Sequence, residues 1–443
     1  MDTIKLLKEK ENCCGCSACM SVCPKSAISM IEDIYGFVYP HVEMSKCIGC
    51  KLCERICCFN NDLFHKFDVK TSYVAVTKDD EQLKFSASGG VFATVAKMVI
   101  EKGGVVFGCA LINRNGKLSS EHIAIENIKD LRKLQGSKYV QSSLENILSD
   151  IKREVHSGRL VLFSGTPCQA VACRSVVGDG KFSNMLIMDI ICHGVPNARF
   201  FNSYILELEK RLNGKIFNFD FRDKKNGWGL TANIKYIDHK NVIREKKQRM
   251  ALSSYYSLFL NSDIYRDSCY KCAYAGEKRI GDWTIGDYWG IQNEHPELLI
   301  ENGGSINEKK GVSCIMINNL QGEQFWNMVQ NRFNFFDSSF ENIARHNGQL
   351  LNASNKGVWH DRIMEMYANT GYSEIEKWYS KQLGVIKYLY ILWDRIPYTL
   401  TKSIKELKLI KMLLRRIGIK TNLTIKRSIF SKIYNHINIF TEK

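Results

Sequence analysis

Between Thr71 and Gly214 the chain alternates between two hydrophobic periods. "TSYVAVT" (71–77) and "GGVVFGCAL" (103–111) are short, β-branched apolar runs and predict strands. Between them, "GGVFATVAKMVIEK" (89–102) places its apolar residues at helical spacing. The order repeats downstream. "SLENILSDIKREVHSG" (143–158) predicts a helix stopped by Gly158, and "RLVLFSG" (159–165) a buried strand. "NMLIMDIICHG" (184–194) predicts a second buried strand, followed by the helical "NARFFNSYILELEKRLNG" (197–214). Such alternation predicts an α/β body with a mixed sheet, at least partly parallel, whose ligand chemistry gathers where strands end in loops.

Charge changes the picture at the carboxyl end. Formal net charge is +16, and residues 381–443 hold 14 Lys or Arg against three acidic residues, leaving +5 for the rest. In "IKELKLIKMLLRRIGIK", Ile404, Leu407, Ile410, Leu414 and Ile417 form one helical stripe flanked by Lys405, Lys408, Arg415 and Arg416. This predicts a basic amphipathic helical tail over 381–443, suited to the anionic inner face of a membrane, a partner, or the protein's own body. Nucleic acid is not expected there, because the apolar stripe would go unused. No signal-peptide pattern opens the chain and no apolar run reaches about 18 residues, so a cytoplasmic protein is expected.

Seventeen cysteines in such a chain point to metal or redox chemistry before disulfides. "CCGCSACMSVCP" holds Cys13, Cys16, Cys19 and Cys23 as C-x2-C-x2-C-x3-C, and "CIGCKLCERICC" repeats the spacing with Cys47, Cys50, Cys53 and Cys57. This duplication is the spacing of a small bacterial-type two-cluster ferredoxin domain (α+β), here residues 1–66. In that pattern the fourth cysteine crosses to the other cluster. Cys13, Cys16, Cys19 and Cys57 are therefore expected to hold one 4Fe–4S cluster, and Cys47, Cys50, Cys53 and Cys23 the second. Zinc knuckles would call for paired cysteines at longer separation. Cys14 is surplus, and Cys58 stands where proline is usual and competes with Cys57. "MIEDIYGFVYPHVEMSK" between the motifs predicts a hairpin-like connection.

Several loops of the body carry candidate chemistry. "FSASGGVFATV" offers Ser86, Ser88, Gly89 and Gly90 at a helix start, where N–H groups either hold a cofactor phosphate or merely cap the helix. "LQGSKYVQS" groups Gln135, Gly136, Ser137, Lys138 and Tyr139, a solvated turn or a meeting point for nucleotide phosphate and ring. "LVLFSGTPCQ" ends a strand in Gly165 and Thr166 and delivers Cys168; "DIICHGVP" delivers Cys192 beside His193. With Cys269 and Cys272 of "CYKC", these make a four-cysteine set for a third 4Fe–4S cluster. Zinc, a bare redox pair, or a Cys168 nucleophile with His193 as base are the alternatives. Cys109, Cys173 and Cys314 lie in apolar runs and are expected in the core. No G-x-G-x-x-G follows a strand and no G-x-x-x-x-G-K-[ST] occurs, which argues against a nicotinamide Rossmann domain and a P-loop nucleotidase.

"SASGG", "QGSKYVQS", "SGTPCQ", "CHGVP", "FRDKKNGWG", the Cys269–Cys272 pair and "DWTIGDYWG" occur in this order over about residues 10–320. The chain thereby resembles the beta-subunit family of coenzyme F-420 hydrogenase and dehydrogenase, preceded by a ferredoxin module. The resemblance implies two parts of a beta-subunit-like body, 67–150 and 151–380. It implies FAD beside a 4Fe–4S cluster, and hydride exchange with a deazaflavin-type coenzyme or another small-molecule substrate. It places Ser88, Gly89, Gly90, Ser137, Lys138 and Tyr139 around the cofactor, with Gly165 and Thr166 nearby, and makes Asp282, Thr284, Gly286 and Asp287 a signature. Asp287, Lys138 and His193 are the candidate catalytic groups. Relatives that resemble it include proteins encoded beside bacterial surface-polysaccharide genes, and a redox partner protein is expected. In "FRDKKNGWG", Arg222, Lys224, Lys225 and Trp228 suit an anion or a stacked ring, or an exposed basic loop.

Overall fold

The computed structural model describes Leu6 and residues 9–59, 66–178 and 182–384. One compact unit runs to Leu383 and a second spans Gly384–Lys443. The amphipathic helix expected in the tail lies outside the described residues.

In the amino-terminal module, strands β1 (Ile28–Glu32) and β2 (Val38–Val42) form the expected antiparallel hairpin between short helices Ala18–Ser21 and Leu52–Ile56. Beyond it come β3 (Thr71–Thr77), β4 (Val105–Arg114), β5 (Lys117–Ile125), β6 (Val161–Gly165) and β7 (Met185–Ile190). Then follow β8 (Gly214–Asp220), β9 (Thr231–Asp238), β10 (Ile243–Arg249), β11 (Trp283–Asp287), β12 (Ser313–Ile317) and β13 (Phe333–Ser338). Eight strands form one sheet in the order β13-β3-β12-β11-β7-β6-β4-β5, and β10-β9-β8 form a separate antiparallel sheet. Strands β4, β6, β7 and β11 run parallel, while the outer pairings are antiparallel, as expected of a mixed sheet.

The parallel strands read as unbroken apolar runs because both faces are covered. Helices Val91–Glu101 and Leu320–Val329 pack one face, and Ile147–His156 and Pro167–Val177 the other. Leu162, Leu186 and Met188 are fully enclosed, each worth about 1.5–3 kcal/mol of transfer free energy. Two elements differ from the pattern reading. The helix foreseen from Ser143 starts at Ile147, because Ser143 extends the sheet edge, donating to Ser120 O and accepting from His122 N. The strand at Val105 runs on to Arg114 and returns through Asn115-Gly116, both at positive φ, a hairpin signal legible in the sequence but not used.

All four parallel strands end on the same side of the sheet. The ends of β6, β7 and β11 therefore bring the Cys168 loop, the Cys192–His193 loop and Asp287 to one edge.

Candidate functional site: three cysteine sets and an enclosed recess

The two ferredoxin loops share a backbone signature. Gly15 and Ser17 flank Cys16 at φ +66° and +63°, and Gly49 and Lys51 flank Cys50 at +70° and +58°. Left-handed residues at equivalent places curl each loop in the same way. Cys57 lies beside Cys13 and Cys19, and Cys23 lies beside Cys53. Cys23, Cys47, Cys50 and Cys53 line one pocket. Backbone N–H groups of Gly15 and Ala27 donate to the sulfurs of Cys13 (3.4 Å) and Cys23 (3.3 Å). Burial pushes the thiols of Cys13, Cys19 and Cys53 up; at Cys13 the Arg266 guanidinium opposes it. Cys58 points elsewhere, to Tyr274, near Cys16 and Cys168.

The body's four cysteines converge. Cys192 has Cys269, Cys168 and Cys272 as neighbours, and Cys168 faces Cys269 and Cys272 in turn. Local sequence explains Cys168. Thr166 and Gln169 form a capping box with Pro167 at the first helical position, which places Cys168 in the first turn of an eleven-residue helix. Hydrogen bonds from Cys14 and from Thr166 (3.2 Å) bring its pKa down to about 7, against burial. Burial pushes Cys192 well up, and Cys269 up to about 12. Cys14, surplus to the spacing, touches both Cys16 and Cys168 and so bridges the first ferredoxin set and the body's set. Among the described residues, no three His, Cys, Asp or Glu side chains close up around a point as a single ion requires. Cys173 and Cys314 are core residues, as expected; Cys109 is half-buried beside Ser120.

Past Cys192 the strand ends gather charged and aromatic side chains around Arg222 and Asp287, a group called the recess below. Arg222, with a side chain 1% exposed, donates from Nη1 to Asp287 Oδ2 at 2.5 Å, and Trp228 Nε1 donates to Asp287 Oδ1 at 2.9 Å. Trp228 stacks on Trp289 (centroids 4.6 Å apart), and the Arg222 guanidinium lies 5.3 Å from the Trp289 ring centre. Arg222 Nη2 is buried with no hydrogen-bond partner among the described residues. Tyr139 stacks on Phe259 and turns its hydroxyl toward Ser137 and Arg222. Lys224 donates to the carbonyls of Leu83, Ser88 and Lys310, and burial presses its pKa down to about 7. Lys138 donates to Leu134 O and Gln135 O, and burial brings it to about 8. His193 is held by Gln349 at Nδ1 and by Ser354 at its carbonyl; burial lowers its pKa while Asp287 opposes. Lys138, Tyr139, Cys168, Cys192 and Cys269 are half-buried, and His193 is exposed.

Other sequence candidates have local partners. Ser88 Oγ donates to Val312 O, Gly89 N–H to Ser313 Oγ, Ser86 Oγ to Gln82 O, and Gln135 Nε2 to Gln82 Oε1. Gly90 caps its helix at φ +84°, and Gly136 turns at +80°. Gly165 and Thr166 belong to the Cys168 turn. In the "DWTIGD" strand, Asp282 is bound by Arg174, Asn319 and Ile187 N, and Thr284 by Arg279 and Asn318, so Asp287 alone of that segment's polar residues faces the recess. Sequence reasoning overlooked Trp289 and Arg266; an arginine three residues before Cys269 and a tryptophan two after Asp287 were the available signals.

The family model described as the C terminus of the coenzyme F-420 hydrogenase/dehydrogenase beta subunit matches residues 158–335. An uncharacterized ferredoxin of Methanocaldococcus jannaschii is 32% identical over 54 residues, 12% of this chain and 69% of that protein. A chain of the xenon-derivatised F-420-reducing nickel–iron hydrogenase complex from Methanosarcina barkeri is a distant structural match, 14% identical with a TM-score of 0.34. It covers 70% of this chain and 91% of that one. Residues 158–335 thus match the carboxyl-terminal part of the coenzyme F-420 hydrogenase/dehydrogenase beta-subunit family, and the amino-terminal segment is similar to a ferredoxin.

Proposed function

We propose that this chain is an iron–sulfur flavoprotein oxidoreductase with three 4Fe–4S clusters and one FAD. The observation that carries the reading is the convergence of Cys168, Cys192, Cys269 and Cys272 between two neighbours. On one side lies the Cys13, Cys16, Cys19 and Cys57 set, and on the other the Arg222–Asp287 recess. Cys23, Cys47, Cys50 and Cys53 hold the outermost cluster, where Cys50 is exposed. Single electrons thus have a sequence of stations from the recess to the surface. A redox partner protein meets the outer station.

The residues of the recess fit a flavin. Leaving Arg222 Nη2 buried and unsatisfied costs about 1–3 kcal/mol, a cost that an anionic or carbonyl group of a ligand removes. Asp287 holds the guanidinium in place, Tyr139 and Trp289 are its aromatic neighbours, and Ser137 lies beside the Tyr139 hydroxyl. A flavin supplies the conversion between hydride transfer and single-electron transfer. The protein's own part is to exclude water, orient a deazaflavin-type or other small-molecule donor, and hold Asp287 against Arg222. Service to surface-polysaccharide synthesis at the inner membrane face, with the basic tail as peripheral anchor, belongs to the same proposal. No helix among the described residues is long and apolar enough to cross a membrane.

Anaerobic purification with iron and flavin analysis tests the reading. About twelve irons and one flavin per chain are expected. About eight irons and no flavin would reduce the protein to an electron shuttle.

A further inference from the structure

One side chain dominates the contact between the first ferredoxin set and the body's set. Arg266 is fully buried, and among the described residues no carboxylate pairs with it. Its Nε donates to Cys13 O at 2.6 Å, Nη2 to Val38 O at 2.5 Å and Nη1 to Gln141 Oε1 at 3.3 Å. The guanidinium also lies 4.4 Å from the centre of the Tyr39 ring. Gln141 donates in turn to Cys14 O at 2.8 Å, so two body residues grip adjacent carbonyls of the first cysteine loop. That loop is shaped around the guanidinium, since a Cβ on Gly15 would stand 3.1 Å from Nη1. The same residue serves the other set, because Arg266 O accepts from Cys269 N at 2.9 Å. A buried cation held only by carbonyls, an amide and ring faces lacks a negative counterpart. Cluster thiolates on either side supply one.

We propose that Arg266 is a positioning residue. It is the shared counter-charge of the first and body clusters, raising both reduction potentials and leaving the outer cluster at Cys23, Cys47, Cys50 and Cys53 unaffected. The proposal rests on the cluster reading above. Each cluster gains one electron on reduction with its thiolates still bound, so its charge becomes one unit more negative. A fixed positive charge nearby favours that state.

An EPR-monitored redox titration of the full chain, prepared anaerobically, tests it. Arg266→Gln is expected to shift two of three cluster equilibria at least tenfold toward the oxidised form, about 59 mV per one-electron couple. The other potential should stay at its parent value, and Arg266→Lys should restore most of the shift. Gln141→Glu gives a second route, because it sets a carboxylate beside Nη1 and cancels the charge while the arginine stays. It should lower the same two potentials even if Arg266→Gln fails to assemble. Potentials that stay put in Gln141→Glu, or three that move together, overturn the proposal. About eight irons in the parent protein would instead overturn the body-cluster reading, and the proposal would then stand or fall on the first cluster's shift alone.

Discussion

Asp287→Ala removes the only carboxylate that meets Arg222 among the described residues, and the consequence can be sized from the geometry. Arg222 is 1% exposed at its side chain, so its charge cannot turn to water. With Asp287 gone, Nη1 loses its 2.5 Å partner, leaving Nε on Gly229 O (3.1 Å) and the nearby Tyr139 hydroxyl as the polar neighbours of the guanidinium. Trp228 Nε1 loses its acceptor as well. Breaking a buried ion pair from one side costs about 3–5 kcal/mol, because the surviving charge stays desolvated. Spread over the compact unit that ends at Leu383, this corresponds to a fall in Tm of about 4–6 °C. Calorimetry at one scan rate under anaerobic conditions measures it, with flavin content read on the same samples. The decisive comparison is the double variant Arg222→Met with Asp287→Ala. It carries no stranded charge and should melt above the Asp287→Ala single. If the double instead loses the sum of the two singles, or Asp287→Ala melts with the parent, the pair does not hold the site.

His122 is fully buried, accepting from Ser142 Oγ at Nδ1 and donating from Nε2 to Ser164 O, and burial brings its pKa to about 4. The unfolded chain therefore takes up the proton first as pH falls below about 6.5. Stability should drop by about 3 kcal/mol between there and about pH 4. His122→Gln should flatten that slope in urea melts; equal slopes in both proteins would count against the argument. Gly89→Ala would place a Cβ 2.3 Å from Ala75 O and 2.6 Å from Ser313 N, so a loss of about 1–3 kcal/mol in thermal unfolding is expected. An unchanged melt would mean the helix entry can shift freely. Cys168→Ser should release about four irons per chain while Cys14→Ser keeps all of them, and iron analysis distinguishes a ligand from a bridge.

Much of this was legible along the chain, for local reasons. Buried parallel strands must be apolar on both faces, so "RLVLFSG" and "NMLIMDIICHG" announced β6 and β7. Cysteine spacing is likewise a short-range property, since three thiols in seven residues can face one point only if the loop between them curls. Gly15 and Gly49 mark where it does. The meeting of Cys168 and Cys192 with Cys269 and Cys272 was readable one step further, because parallel strands end together. The same pattern left Arg222 open as an exposed basic loop residue, and it is enclosed instead. Its partner Asp287 is 65 residues away, and only the placement of β11 beside β7 brings the end of that strand to the recess. Arg266 and Cys13 are 253 residues apart and in different modules, with no periodicity connecting them. Which charges lose their water is decided by packing between distant segments, and desolvation is what turns an ordinary arginine into the strongest electrostatic feature of the site.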